Sequence, residues 1–106
     1  MVSFDDFKKL DLRIAEVKDV KEHPNADKLY VLQIEVGGEA KQIVAGIRQQ
    51  YSSDALVGRK IVVINNLEPA VIRGEESNGM LLAAKDGDAP VILCPEKDVP
   101  SGSAIS

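Results

Sequence analysis

The sequence predicts an all-β fold, a five-stranded barrel with a short N-terminal helix and a C-terminal extension. Three observations lead to this prediction. Five or so short segments have the alternation and composition of β-strands. One capped helical segment lies at the N-terminus, and residues 47–56 are irregular. The OB-fold is the barrel type that best fits these parts, and 106 residues correspond to one domain covering residues 1–106.

The helix is predicted at the start of the chain, because Ser3 followed by Asp6 is a capping-box pattern. Such a pattern opens a short helix, which we expect to continue through Lys9. Three apolar side chains share one face of this helix and are expected to dock on an end of the barrel, namely Phe4, Phe7 and Leu10.

The strands are predicted from alternating apolar residues and from the turn residues between them. Residues 46–56 are weaker and are expected to hold one helical turn, capped by Ser52 or Ser53. The chain is expected to reverse at residues 23–27, 37–38 and 86–88. The first strand begins at Leu12, and the others cover residues 29–36, 40–45, 59–65, 80–85 and 91–93.

The charge balance argues against a generic phosphate binder, since the chain has a net charge of −4. The acidity is uneven, however. Residues 75–106 hold six acidic and two basic side chains, whereas residues 1–74 hold eleven of each. Any basic surface must therefore come from the first two thirds of the chain.

Several features point to a cytoplasmic protein without a membrane segment. No apolar run approaches the ~20 residues that a membrane helix needs, and the N-terminus lacks the apolar stretch of a signal peptide. The single cysteine, Cys94, excludes an internal disulfide and indicates a reducing compartment. We expect Cys94 to be a small buried apolar residue.

Enzyme chemistry is poorly supplied. His23 and Cys94 are single residues of their kinds and lie far apart in sequence, so no nucleophile and base are paired. No histidine and cysteine cluster forms a metal site, and no glycine-rich phosphate-binding motif is present. We therefore expect no catalytic residue, metal or cofactor, and we interpret His23 as a loop residue.

The polar segment from Asn65 to Ala84 is the expected functional region, because long loops on β scaffolds commonly carry function. Arg73 precedes a glycine that would let a partner approach closely, but an ordinary surface turn fits equally well. Asn78 with Gly79 favours a tight turn. Met80 fits a core position better than an exposed contact. Outside this segment, Lys28 is either a cation at the barrel rim or an ordinary surface lysine.

Aromatic residues are too few for the usual stacking of single-stranded bases. The chain has no tryptophan, and Phe4 and Phe7 are expected to be used in helix packing. Structured RNA is recognised instead through its shape, its backbone and its 2′-hydroxyl groups. That mode needs a few well-placed Lys, Arg, Ser and Asn donors, which the sequence has.

Several short motifs, in their order and spacing, strongly resemble one family over essentially the whole chain. The motifs are Asp11-Leu12-Arg13, His23-Pro24-Asn25-Ala26-Asp27-Lys28-Leu29, Ile43-Val44-Ala45-Gly46-Ile47, Arg73-Gly74, Glu76-Ser77 and Gly79-Met80-Leu81-Leu82-Ala83. The family that they resemble is the tRNA-binding domain found at the C-terminus of many methionyl-tRNA synthetases, as a free-standing beta subunit, and in the EMAP-II-like cytokine precursor.

The resemblance implies an OB-fold that binds tRNA by shape, without catalysis, in cis or in trans with a methionyl-tRNA synthetase catalytic domain. If the chain is part of a longer protein, that protein would be a methionine–tRNA ligase. The resemblance also implies a homodimer, with Val91, Ile92, Leu93, Val99 and Ile105 buried at the interface. The residues that it implies as RNA contacts are Lys28, Arg73, Ser77, Asn78 and Met80.

The chain departs from the family at three positions. Glu16, Glu68 and Val71 replace positions that are often lysine, which implies weaker binding with a shallower salt dependence. A chaperone-like or protein-interaction dimer on the same scaffold is the alternative. The acidic C-terminal third favours that alternative, and the intact motif from His23 to Leu29 disfavours it.

Overall fold

The computed structural model describes all residues from Met1 to Ser106. Each of its two helices has four residues, and nine strands complete the regular structure. Neither helix has the length or the apolar character needed to cross a membrane. In chain order the elements are α1 (Phe4–Phe7), β1 (Leu12–Glu22), β2 (Tyr30–Val36), β3 (Glu39–Ala45), α2 (Ser53–Leu56), β4 (Lys60–Ile64), β5 (Ala70–Ile72), β6 (Glu75–Ser77), β7 (Met80–Leu81), β8 (Ala83–Asp86) and β9 (Ala89–Ile92).

Five strands form one antiparallel sheet in the order β3-β2-β1-β4-β7. The longest strand, β1, pairs with β4 through residues 12–16 and with β2 through residues 16–22. Its register against β2 shifts between Val17 and Asp19. Such a bulge bends a strand and increases its twist, so the sheet curls into a half-barrel. The prediction of an all-β, OB-type fold is confirmed.

The core lies on the concave side of the curled sheet, and alternate residues of the strands supply it. The predicted helical turn is present as α2, with Ser52 at its N-cap, and places Leu56 in this core. Ile92, which we expected at a dimer interface, is instead buried in the core of its own chain. The core cluster consists of Ala15, Val17, Tyr30, Leu32, Ile34, Val36, Ile43, Ala45, Ile47, Leu56, Ile61, Val63 and Ile92.

The barrel closes between β3 and the end of β6 with the residue that follows it, without a continuous strand ladder. The hydroxyl of Ser77 accepts a hydrogen bond from the Val44 N–H at 3.0 Å and donates one to the Gly79 carbonyl at 3.1 Å. Beside it, the Asn78 N–H donates to the Gln42 carbonyl at 2.8 Å. We call these three hydrogen bonds the barrel seam.

The polar segment from Asn65 to Ala84 contains a β-hairpin with a two-residue turn, β5–β6, in which Ile72 pairs with Glu75. Arg73 and Gly74 form its turn and have φ angles of 52° and 94°. Positive φ at both central residues is the requirement of a type I′ turn. The expected tight turn at Asn78 and Gly79 is wrong, because these residues carry the chain from β6 to β7 in the main sheet.

Two other expectations about burial are wrong. The predicted cap is present, since Ser3 Oγ accepts from the Asp6 N–H at 3.1 Å, but α1 ends at Phe7 and has no buried residue. Phe4 is 72% exposed, so the helix is not docked on the barrel end. Cys94 is also exposed, because it follows β9 at the surface instead of continuing the buried strand.

The C-terminal extension, residues 100–106, forms no long strand but is hydrogen-bonded to β1. The Gly102 N–H donates to the Ile14 carbonyl at 2.7 Å, and the Ile14 N–H donates to the Ser103 carbonyl at 2.9 Å. Gly102 also lies directly against the β2–β3 turn. A Cβ atom at Gly102 would be 2.6 Å from the Gly37 Cα, so this contact requires glycine.

A polar network around Asp11 joins the beginning of β1 to the end of β4 and to the C-terminal extension. The Asp11 carboxylate accepts from Arg13 Nε at 2.6 Å and from Asn65 Nδ2 at 3.0 Å. Arg13 in turn donates to the Gly102 carbonyl at 3.1 Å. The hydrogen bond from Asn65, followed by that from Arg13, lowers the pKa of Asp11 below its ordinary value of 3.8.

Candidate nucleic-acid interface

The loop after β1 and the β5–β6 hairpin meet at one end of the barrel. The ring nitrogen Nε2 of His23 lies 2.9 Å from the Ile72 carbonyl oxygen. Asn25 and Arg73 are joined in both directions, by Arg73 Nη2 donating to the Asn25 carbonyl at 3.0 Å and Asn25 Nδ2 donating to the Arg73 carbonyl at 3.4 Å. These three hydrogen bonds form the loop–hairpin contact.

The same loop is supported on its other side by Arg48. Its guanidinium pairs with the Glu22 carboxylate at 2.9 Å and donates to the Ala26 carbonyl at 3.2 Å. Within the loop, the His23 N–H donates to the Leu29 carbonyl at 3.1 Å. The loop is therefore fixed by side chains and backbone together before any ligand arrives.

The loop–hairpin contact brings Lys28 and Arg73 to one cleft, although they are far apart in sequence. The cleft has a volume of about 380 Å³ and is lined by Ala26, Asp27, Lys28, Leu29 and Arg73. None of the chain's six ion pairs involves Lys28 or Arg73. Both residues are exposed, so their charges are available to an anionic partner.

Two further clefts continue this surface. The first, of about 370 Å³, includes Lys28 and is lined also by Gly46, Gln49, Gln50, Asp88, Ala89 and Pro90. The second, of about 270 Å³, shares Gly46 and Pro90 with it and is mainly apolar, and its lining includes Met80. The three clefts thus form a row, with Lys28, Arg73 and Asp27 at one end, glutamine amides and Asp88 in the middle, and mainly apolar groups at the other end.

The structure places the five predicted contact residues in two groups. Lys28, Arg73 and Met80 line this row of clefts. Ser77 is only 4% exposed, and its hydroxyl is used in the barrel seam. Asn78 is half-buried, and its backbone takes part in the same seam. The barrel seam therefore fixes the backbone of residues 77–79, directly before Met80.

Met80 is 47% exposed, so the preference for a core position is wrong. The preceding Gly79 explains the orientation. A Cβ atom at Gly79 would lie 2.9 Å from the Ile64 carbonyl oxygen, and its φ is 155°. The backbone of Gly79 therefore packs tightly on β4, which leaves the next side chain at the surface.

No aromatic side chain lines the three clefts. Tyr30 is buried, and its hydroxyl donates to the Tyr51 carbonyl at 2.7 Å. The ring of Tyr51 lies under the Arg59 guanidinium, 5.8 Å from it. Stacking of bases on aromatic rings is therefore not provided by this surface, in agreement with the sequence analysis.

Five of the eleven other cations are in ion pairs. Ion pairs join Lys9 to Asp6, Arg13 to Asp11, Lys18 to Glu16 and Glu35, Arg48 to Glu22, and Lys60 to Asp98. Among the cleft residues, only Lys28 and Arg73 carry a positive charge. Asp27 and Asp88 also line these clefts, so the positive charge is confined to the positions of Lys28 and Arg73, both in the first two thirds of the chain.

No group of three or more His, Cys, Asp or Glu side chains could hold a metal ion. The buried His23 is hydrogen-bonded to backbone groups and has no nucleophile or acid among its hydrogen-bond partners. The arrangement is suited to binding an anion and offers no paired catalytic groups.

Sequence reasoning missed three residues that build this surface, namely His23, Asn25 and Arg48. The first two belong to the motif that carried the family resemblance, which was the available signal. Their roles depend on the β5–β6 hairpin, which the sequence did not predict. Gln49 and Gln50, which line the middle cleft, gave no sequence signal.

An OB-type barrel with a cationic cleft where two loops meet belongs to the class of small nucleic-acid-binding barrels. The chain belongs to the tRNA-binding domain family, since the family model described as "Putative tRNA binding domain" matches residues 12–104. This match contains all nine strands, and it confirms the family inferred from the sequence motifs.

The curated relatives are methionine–tRNA ligases. The one from Thermococcus onnurineus is 53% identical over 104 residues, and the one from Deinococcus radiodurans is 48% identical over 106 residues. The matches cover 98% and 99% of this chain but 14% and 16% of the relatives' own lengths. The chain is therefore related to one domain of these much longer proteins.

Solved structures share the whole fold. A MetRS-related protein from Pyrococcus horikoshii has a TM-score of 0.93 at 30% identity, covering 100% of this chain and 98% of that chain. The chaperone CsaA from Bacillus anthracis has a TM-score of 0.92 at 33% identity, covering 100% and 99%. The C-terminal domain of Plasmodium vivax p43 has a TM-score of 0.89 at 34% identity, covering 97% and 63%.

Proposed function

We propose that residues 1–106 form one non-catalytic module that binds tRNA through its shape and backbone. The cleft shared by Lys28 and Arg73 is the observation that carries the proposal, because it presents two unpaired cations on a rigid surface of a tRNA-binding family member. Cations positioned in this way contact phosphates and carry little sequence information. The absence of aromatic side chains from the clefts supports recognition of shape.

Four residues contact the RNA in this proposal, and one positions them. Lys28 and Arg73 bind phosphates, Met80 contacts the sugars at the other end of the row, and the half-buried Asn78 contacts the RNA backbone beside it. Ser77 acts by holding the barrel seam, because its hydroxyl is already used as donor and acceptor. All five predicted residues thus take part in RNA binding, and Ser77 takes part only by positioning its neighbours.

The module would serve a methionyl-tRNA synthetase in the cytoplasm, in cis or in trans. Similarity to one domain of longer methionine–tRNA ligases supports this context. Attaching a tRNA-binding module to a catalytic domain raises the local concentration of tRNA, so a modest affinity is sufficient.

A second copy of the chain is the partner that we propose for the exposed apolar side chains. Phe4 is 72% exposed, and Val91 and Leu93 are 47% and 42% exposed. Val99 and Ile105 are partly exposed as well. A symmetric dimer is the usual way for a soluble protein to bury such residues.

A chaperone-like dimer that binds peptides is the second candidate. Its support is the likeness to CsaA proteins over the whole chain and the mainly apolar cleft beside Met80. An extended peptide would place an apolar side chain in that cleft, and the unpaired cations would have no specific role.

A titration of fluorescent mixed tRNA with the purified chain, followed by anisotropy at two salt concentrations, tests the proposal. We expect saturable binding that weakens with salt and that unlabelled tRNA reverses, whereas a DNA duplex does not. A parallel titration uses a fluorescent, unfolded peptide of apolar sequence. Peptide binding without tRNA binding at low salt would reject the tRNA module in favour of the second candidate.

A further inference from the structure

His23 is a buried polar residue at the centre of the loop–hairpin contact. It is 3% exposed, and Ser77 is the only other polar residue that is buried in the chain. Both of its ring nitrogens have backbone partners. Nδ1 lies 3.0 Å from the Asn25 amide nitrogen, and Nε2 lies 2.9 Å from the Ile72 carbonyl oxygen.

These partners determine the protonation of the ring. A backbone N–H can only donate, so Nδ1 must accept from Asn25 with a free lone pair. A carbonyl oxygen can only accept, so Nε2 must carry the hydrogen that is donated to Ile72. His23 is therefore a neutral imidazole with its proton on Nε2, and it joins the loop to the hairpin.

His23 contacts the β5–β6 hairpin directly before its turn, and the backbone of this turn has an unfavourable conformation. Ile72 is followed by Arg73, the only non-glycine residue of the chain with a positive φ angle. Arg73 exchanges hydrogen bonds with Asn25, which is the residue that donates to the ring of His23. The position of the Arg73 side chain thus depends on the same contact that His23 closes.

We propose that His23 is a positioning residue for RNA binding, whose neutral ring fixes the spacing between Arg73 and Lys28. This inference rests on the proposed function. Lys28 is held independently of the ring, because it lies next to β2 and its carbonyl accepts from the Arg48 N–H at 3.3 Å. Without His23, Lys28 stays in place whereas Arg73 becomes mobile.

The test is a double-mutant cycle on tRNA affinity with His23→Asn, Arg73→Ala and both together. Asparagine keeps an acceptor near the Asn25 N–H but cannot reach Ile72. We expect each single change to weaken binding about tenfold, and the double variant to bind like Arg73→Ala alone, because His23 acts through Arg73. The control pair is His23→Asn with Lys28→Ala, for which the two losses should multiply.

The outcomes separate the inference from the function on which it rests. Wild-type chain that fails to bind tRNA rejects the proposed function. Wild-type binding with multiplicative losses for His23→Asn and Arg73→Ala rejects the positioning role alone. If His23→Asn does not fold, as judged by thermal unfolding, His23→Gln takes its place in the cycle. Ring nitrogen NMR shifts of the wild-type chain provide an independent check, since any form at neutral pH other than the Nε2-protonated neutral ring contradicts the inference.

Discussion

Arg73 shows how a single residue at this site is held in an unfavourable conformation. Its φ of 52° places it in the left-handed region, which costs a residue with a side chain about 1–2 kcal/mol. Asparagine and glycine are the usual residues at this position of a type I′ turn. The chain keeps arginine there and supports it with a hydrogen bond to the Asn25 carbonyl. Such strain at the proposed binding surface agrees with a functional use of the guanidinium.

We predict that Arg73→Asn is more stable than Arg73→Ala by about 1 kcal/mol, since asparagine tolerates the left-handed region better than alanine. Both variants lose the guanidinium and the hydrogen bond that it makes, so the comparison isolates the backbone effect. Chemical unfolding measures the difference in free energy. Both variants should bind tRNA more weakly than the wild type, and wild-type affinity in either one would show that the guanidinium does not contact RNA.

At the residue scale, the sequence motifs named side chains that the fold brings together, but they did not predict the burial of each one. Lys28 and Arg73 share one cleft, as a common role in RNA binding requires. The burial of Ser77 could not be predicted, because it depends on how the end of β6 packs against β3. Met80 was assigned to the core because an apolar side chain between buried runs is ordinarily buried, and the tight packing of Gly79 is not visible in the sequence.

At the scale of the elements, two small polar networks provide connections between segments that the strand ladders do not make. The barrel seam joins β3 to the end of β6, and the Asp11 network joins β1, β4 and the C-terminal extension. The main strands were predicted because alternation and turn residues mark them clearly. The β5–β6 hairpin was not, since each of its strands has only three residues and arginine is unusual in its turn.

We predict that Ser77→Ala destabilises the chain by about 1–3 kcal/mol, because the Val44 N–H would be left without its acceptor at a buried position. Thermal or chemical unfolding measures this loss. Ser52→Ala is the matched control, since Ser52 makes no side-chain capping hydrogen bond and its loss should be smaller. Equal effects of the two substitutions would contradict the role of the barrel seam.

Asp11 makes the stability depend on pH in a defined direction. Its pKa in the folded chain is below the ordinary value of 3.8, chiefly through Asn65 and then Arg13. The folded state therefore favours the ionised carboxylate, and this contribution is complete above pH 3.8 and is lost as the pH falls toward the lower folded pKa. We predict that Asp11→Asn removes this part of the acid dependence. Unfolding curves of the wild type and of Asp11→Asn, recorded between neutral pH and pH values below 3.8, measure the acid dependence of the free energy of unfolding. The same loss of stability on acidification in both proteins would refute the role of Asp11.

At the scale of the whole molecule, the proposed binding surface has few charges and the chain is acidic overall. The net charge is −4, and Glu68 and the 74% exposed Val71 stand where the family resemblance leads us to expect lysine. Glu16 also differs, and it pairs with Lys18 at 3.0 Å. Each phosphate contact contributes about 0.7–0.9 to the slope of log K against log salt, so a surface with two free cations per chain should show a shallow dependence.

We predict that Lys28→Ala reduces the magnitude of this slope by about one, because one phosphate contact is lost. Anisotropy titrations at four or five salt concentrations give the slope. Lys97→Ala, an exposed lysine outside the three clefts, should leave the slope unchanged. If the Lys28 and Lys97 variants changed it equally, the clefts would not be the RNA surface.

We also predict a dimer in solution, with the exposed apolar side chains of β9 and its continuation at the interface. Leu93→Lys should give a monomer by light scattering at micromolar concentration, because a charge would be buried without a partner. Val71→Lys is the matched control, since this residue is exposed on the hairpin that bears Arg73. A wild-type chain that is monomeric at this concentration would overturn the prediction.

The pairing of the C-terminal extension with β1 has a consequence for the order of folding. Ile105 donates its N–H to the Leu12 carbonyl, and Arg13 reaches the Gly102 carbonyl across 89 positions of the chain. Closing so long a loop is entropically costly, and proteins rich in such distant contacts fold slowly. The β2–β3 hairpin, whose contacts are local, can form well before that step. Refolding should therefore pass from a fast local phase to a slow final one, and the start of β1 should be the last part of the sheet to become protected from hydrogen exchange.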